Sequence, residues 1–113
     1  MFSASSCLFM DDDKLYVSHI LEAIEKINRF VLPLDFQGFI KDDLVQSGVM
    51  RELGVIGEAA KNLSQEFKAS HNKIPWKEIT GMRDKLVHDY FEIDVDALWI
   101  TIREDLPVLK NEL

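Results

Sequence analysis

Residues 45–67 read VQSGVMRELGVIGEAAKNLSQEF. Val45, Val49, Leu53, Ile56, Ala60, Leu63 and Phe67 recur at steps of three and four, which lines apolar side chains along one face of an α-helix. Asp42 or Asp43 stands where a helix N-cap is expected, and the loop-like stretch Ser70–Lys73 closes the run, so this segment is expected to be the longest element. Gly54 and Gly57 inside it each cost about 1 kcal/mol relative to alanine. Three apart on one side of a helix, they predict a second helix crossing close by.

Working outward, the pattern repeats. Tyr16, Ile20, Ile24, Ile27 and Val31 form another stripe, with Asp11 to Asp13 placed to cap its start and Pro33 placed to end it. LDFQGFIKDD, residues 34–43, leaves room for one helical turn at most, with Phe36 and Phe39 pinning it to the core. Pro75 suits the first position of a third helix. Thr80-Gly81 is expected to weaken or break that helix before residues 82–90 continue it. Asp94 can cap a last helix carrying Val95, Leu98, Trp99, Ile102 and Leu106, which Pro107 should kink or end. Alternation of period two is absent. The fold class is therefore all-α, an up-down bundle of four main helices with short helical turns.

Residues 11–113 are read as one domain and residues 1–10, up to Met10, as a flexible tail without the basic region of a signal peptide. The chain has 113 residues and a single cysteine, Cys7, so no intrachain disulfide forms. That suits a reducing cytoplasm, and no apolar run reaches the ~20 residues of a membrane span. The formal net charge of −7 opposes general nucleic-acid affinity, because duplex binders carry a basic stripe that displaces counterions. Arg51, Lys61, Arg83 and Lys85 are the cations available for a local basic cleft.

Metal and phosphate-loop signatures are missing. His19, His71 and His88 are scattered, with no H-x-x-x-H pair, and the glycines match neither a P-loop nor a dinucleotide fingerprint. No metal and no cofactor is expected. His19 and His71 read as structural or solvated, and Trp76 and Trp99 as packing residues. What remains is GMRDKLVHDYFEID, residues 81–94, with Arg83, His88 and Tyr90 in the spacing R-x4-H-x-Y. On a continuous helix His88 would project about 140° from Arg83, and Tyr90 nearly with Arg83. One helix cannot converge all three, so a shared site needs the helix to fray near Asp89 or a second copy to supply the missing groups. Arginine offers a fixed fork of donors for phosphate oxygens, and histidine titrates near neutral pH as acid or base. Together they suffice for cleaving RNA through its own 2′-hydroxyl. As a chance match, the same residues would be a surface patch with Arg83 paired to Asp84 or Glu78.

Arg83, the polar Asp84, three further residues and His88 resemble the R-[polar]-x3-H motif of HEPN ribonucleases. HILEAIEKINRF, RELGVIGEAAKNLS, IPWKEITGMRDKLVHDYFEID and LWITIREDLPVLKNEL resemble, in order, the successive blocks of the HepT toxin family. The resemblance implies a HEPN helical bundle that forms a homodimer through its motif helices and cuts RNA, mRNA or tRNA, without a metal. It implies the toxin half of a type VII toxin–antitoxin pair whose partner is an MntA-like minimal nucleotidyltransferase. It assigns Arg83 and His88 to catalysis, Asp84 to orienting the site, and Tyr90 to silencing by AMPylation. The acidic charge keeps an alternative in view: a non-catalytic HEPN scaffold or substrate-binding module for a nucleotidyltransferase.

Overall fold

The computed structural model describes the backbone of residues 2–88 and 92–113, and the side chains of residues 12–82, 84, 86 and 93–113. In chain order the elements are α1 (Phe2–Val31), α2 (Phe36–Ile40), α3 (Asp43–Asn62), α4 (Gln65–Ser70), α5 (Trp76–Lys85), the two-residue strands β1 (Val87–His88) and β2 (Glu92–Ile93), α6 (Val95–Ile100) and, after a π turn over Thr101–Asp105, α7 (Leu106–Glu112). The fold is all-α. Helices α1, α3 and α5, with the continuous α6–π–α7 rod, are its four main members.

α1 and α3 run antiparallel: the Phe30 ring lies where a side chain on Gly48 would grow, and Asp13 bonds Ser64 toward the other end. Their stripes interlock as Ile20, Ile24 and Ile27 against Val49, Leu53 and Ile56, all fully buried. Each such side chain contributes about 1.5–3 kcal/mol over its exposed state. The connection behaves as its sequence requires. Asp35 caps α2 by accepting from Gly38 N–H at 2.8 Å, and Phe39 is fully buried against Trp99, ring centroids 5.0 Å apart. Buried Gln46 is satisfied by donating to the Phe39 carbonyl at 2.8 Å. Asp42 caps α3 through Val45 N–H at 3.0 Å.

Several expectations fail locally, each for a physical reason, and α1 rather than α3 is the longest element. Asp11 to Asp13 do not cap α1, which begins at Phe2. Asp13 reaches across instead, accepting from the Ser64 amide at 2.8 Å and from its hydroxyl at 2.6 Å. The long central helix is not continuous. Leu63 is extended (φ −65°, ψ 145°), and Ser64 starts α4 as its N-cap by accepting from Phe67 N–H at 3.1 Å. Serine there competes with the helical ladder for the backbone donors, and a second hydrogen-bonded carboxylate fixes the outcome. Leu63 stays buried across the break, which is why the stripe alone hid it.

Thr80-Gly81 breaks nothing, since buried Ile79, Met82 and Leu86 hold that face of α5 to the core and outweigh the glycine penalty of about 1 kcal/mol. Finally, the helix expected over residues 82–90 stops at Lys85, and Val87–His88 pairs antiparallel with Glu92–Ile93. Strands of two residues are too short to show alternation.

The predicted crossing at Gly57 is present. A Cβ there would sit 3.3 Å from the Thr80 carbonyl oxygen, so α3 and α5 meet backbone to backbone. Asp94 caps α6, accepting from Ala97 N–H at 3.1 Å. Pro107 neither ends nor breaks the last rod. Its ring would clash with the carbonyl four residues earlier, and the π turn just before it widens the helix there. Buried Thr101, whose hydroxyl donates to the Ala97 carbonyl at 2.9 Å, opens that turn. Among the described residues, no helix is long and apolar enough to cross a membrane.

Candidate active site

The motif helix is positioned from both ends. At its start Trp76 Nε1 donates to the carbonyls of Lys68 at 3.2 Å and His71 at 3.1 Å, tying α5 to α4. Further along, Gly57 seats it against α3. Arg83 therefore belongs to a helix fixed to the bundle core through Ile79, Met82 and Leu86. Asp84 is exposed.

His88 is not on that helix. It lies in β1, paired in register with Glu92, while Val87 pairs with Ile93. The ladder extends one step inward, where the Asp94 amide donates to the Leu86 carbonyl at 2.8 Å. Leu86 is buried and Ile93 packs on the core, so the ladder's inner end is anchored in apolar contacts. Asp94 belongs to both structures: its amide closes the ladder and its carboxylate caps α6. Arg83 on a rigid helix is thus followed, five positions later, by His88 on an extended segment that β2 holds in place. The angular separation computed for a continuous helix does not apply. With the helix ended at Lys85, poor convergence no longer calls for a second copy, and helical phase no longer sets Tyr90 over Arg83. Tyr90 itself falls outside the described residues.

Of the other cations read as a cleft, Arg51 is engaged: its Nη1 sits 2.7 Å from Oε2 of Glu52. Glu52 is a buried carboxylate at 4% exposure that the sequence reading passed over. Its signal was positional, for it stands three residues after Val49, on the buried side of α3. Together with His19, Glu22 and Lys26 of α1, this pair lines a polar pocket of about 250 Å³. Lys61 is exposed. His71 is held in the structure, its Nδ1 3.0 Å from the Phe67 carbonyl and its ring stacked on Phe67 at 4.1 Å. His19 is exposed beside Tyr16, and both tryptophans pack on the core. Among the described residues, no group of three or more His, Cys, Asp or Glu side chains is arranged to hold a metal ion.

Comparison with known proteins bears directly on this region. A family model described as ribonuclease HepT-like matches residues 20–113, including the whole of α5, the ladder and the last rod. A protein of Thermococcus cleftensis named "Probable ribonuclease HepT" is 48% identical over 99 residues, covering 88% of this chain and 90% of that one. One from Caldanaerobacter subterraneus subsp. tengcongensis named as a "Putative RNase" is 41% identical over 104 residues, covering 92% and 93%. A longer protein of Methanocaldococcus jannaschii, named as a "Gamma-glutamylcyclotransferase and putative RNase", is 41% identical over 102 residues, which cover 90% of this chain and 46% of that one. No solved structure matches the chain.

Proposed function

The chain belongs to the HepT-like ribonuclease family, and from that premise we propose that it is a metal-independent endoribonuclease in which Arg83 and His88 carry the reaction. The observation that supports this most is the break between α5 and β1, which gives the two residues separate supports. A fixed cation and a titratable imidazole are what in-line attack by a 2′-hydroxyl requires. The 2′-oxygen bonds to the adjacent phosphorus as its proton passes to a base. The P–O5′ bond breaks, and the 5′-oxygen takes a proton from an acid. The products are a 2′,3′-cyclic phosphate and a 5′-hydroxyl. Arg83 binds the non-bridging oxygens as charge grows on them, and His88 serves the proton steps.

In this reading the protein is the toxin of a two-gene module and works as a homodimer with the two motifs facing one cleft. Asp84, exposed beside Arg83, helps to orient the arginine. An MntA-like nucleotidyltransferase silences it by transferring AMP from ATP to the Tyr90 hydroxyl, which loses its proton as pyrophosphate leaves. The added phosphate would occupy the cations that RNA needs and repel the substrate. Two measurements test this. Purified protein should cut RNA in the presence of EDTA, with the activity lost in His88→Ala. Coexpression with the neighbouring nucleotidyltransferase should add AMP-sized mass that vanishes in Tyr90→Phe. RNA left intact under all conditions, with His88→Ala no less toxic to cells than wild type, rejects the enzymatic reading.

The net charge of −7 and the capture of Arg51 by Glu52 favour a second reading, a non-catalytic scaffold for the transferase. It predicts transferase binding that survives His88→Ala, with no RNA cleavage by either form.

A further inference from the structure

A groove between α5 and the segment from the π turn into α7 has a composition that neither the bundle nor RNA cleavage explains. Ile74, Ile79, Met82 and Leu109 form its buried floor, and Val108 stands at its edge with 54% of its surface exposed. Its volume is about 130 Å³, the size of one aliphatic side chain and room for about four waters at ~30 Å³ each. Glu78 and Asp105 flank it, one from each wall, and Glu104 adjoins Asp105. Within the described residues no Lys, Arg or His forms an ion pair with any of the three. The Asp105 carboxyl is held above the ordinary carboxylate range, first by partial burial and then by the charges of Glu104 and Glu78. These carboxylates therefore oppose one another, with no ion-pairing cation among the described side chains.

That combination selects its occupant. A phosphate chain is excluded by like charge. A second copy of this chain, at net −7, brings the wrong sign to this acidic rim, whereas the homodimer proposed above joins the motif faces. Basic character beside an apolar anchor satisfies both halves of the groove: the anchor fills the floor, and a lysine or arginine within reach meets Glu78 and Asp105. We propose that the α5–α7 groove is a docking site for a basic, apolar-anchored segment of a partner protein, entering with one aliphatic side chain and pairing a flanking cation with Glu78 and Asp105. The π turn contributes directly, since Asp105 is its last residue, and such turns are frequent at functional positions. Met82, a floor residue, immediately precedes Arg83, so an occupant would touch the motif helix one residue from the arginine. The inference does not depend on RNA cleavage, and its test reads binding alone.

The probe is a short fluorescein-labelled helical peptide with leucine and lysine four apart on one face and alanine elsewhere, titrated with the full-length protein at physiological salt. Saturable binding of one peptide per chain is expected, and a peptide with glutamate in place of lysine should not bind. The double variant Glu78→Lys/Asp105→Lys should weaken binding at least about tenfold. Glu22→Lys/Glu25→Lys on α1, with the same change in net charge, should leave it within about twofold. Should the groove variant fail to fold by circular dichroism, methyl shifts of Ile79, Met82 and Val108 in the wild-type protein on peptide addition carry the decision. No saturable binding up to millimolar protein, equal weakening by both double variants, or methyl shifts centred elsewhere would each overturn the proposal.

Discussion

The α1–α3 half of the molecule and the motif half are built on different terms. In the first, two long helices interlock Ile20, Ile24 and Ile27 with Val49, Leu53 and Ile56 along their shared length. In the second, every element is short or interrupted: α5 stops at Lys85, a ladder of two residue pairs follows, and the last rod is split by a π turn. The first half has many interchangeable contacts. The second half has buried side chains of its own but also relies on single contacts, among them the Gly57–Thr80 approach and the Asp94 amide on Leu86. The residues proposed to react thus stand where the elements are short.

The sharpest way to separate the halves is His88→Ala. On the proposed role it lowers RNA cleavage by about 10²–10⁴-fold while leaving the denaturation midpoint unchanged, read by gel assay and urea melts on the same sample. A fall in both would merge the two halves and break the distinction. Leu53→Ala tests the converse. It empties a fully buried position between α1 and α3 and should cost about 2–5 kcal/mol in urea unfolding. Cleavage per folded molecule should be retained.

Gly57→Val lies at the junction. The added branched side chain meets the Thr80 carbonyl, part of the main chain of α5, and should destabilise by about 1–3 kcal/mol. Because α5 carries Arg83, the same change should lower cleavage more than an equally destabilising change within α1. Equal effects would mean that α5 is not seated by this contact.

The smallest effect concerns Asp105, whose raised pKa means that the folded state binds its proton more tightly than the unfolded chain does. The associated stability is full below the unfolded value of 3.8 and is lost as pH rises through the folded value. Asp105→Asn should therefore stabilise the protein modestly at neutral pH and lose that advantage below about pH 3.8. Urea melts between pH 3 and pH 7 follow it. A variant advantage that grows on acidification would contradict the assignment.

How much was legible follows the same division. The stripes of α1 and α3 announce themselves because burial along a helix repeats every three or four residues. Asp42 and Asp94 are recognisable caps, and Gly57 a recognisable crossing. Ser64 was hidden because Leu63 and Phe67 keep the stripe in phase through the break, and the carboxylate that stabilises it comes from Asp13 on another helix. The departure of His88 from the helix was hidden for a related reason. LVHDYFEID carries no proline or glycine, and what extends it is pairing with a segment whose side chains show no alternation over two residues. Arg83 and His88 stand out as candidates through their spacing and the surrounding blocks. Their relative placement, one on a helix and one on a ladder, does not. Glu78 and Asp105 lie far apart in sequence and meet only through the packing of α5 on α7.

The π turn at Thr101–Asp105 makes the length of the last rod a quantised property. An α-helix rotates by about 100° per residue. A π turn spreads one extra residue over about the same rotation, so removing exposed Glu104 would let the segment close into regular helix with buried Leu106 and Leu109 still facing the core. Adding a residue there has no such outlet: it would turn everything beyond it by roughly that angle and swing both leucines out of the core. Substitution or deletion at Glu104 should therefore be mild, and insertion beside it among the most damaging single changes in the chain. Among natural variants, this stretch should lose a residue more readily than it gains one, with buried Thr101 and Ile102 held apolar or satisfied.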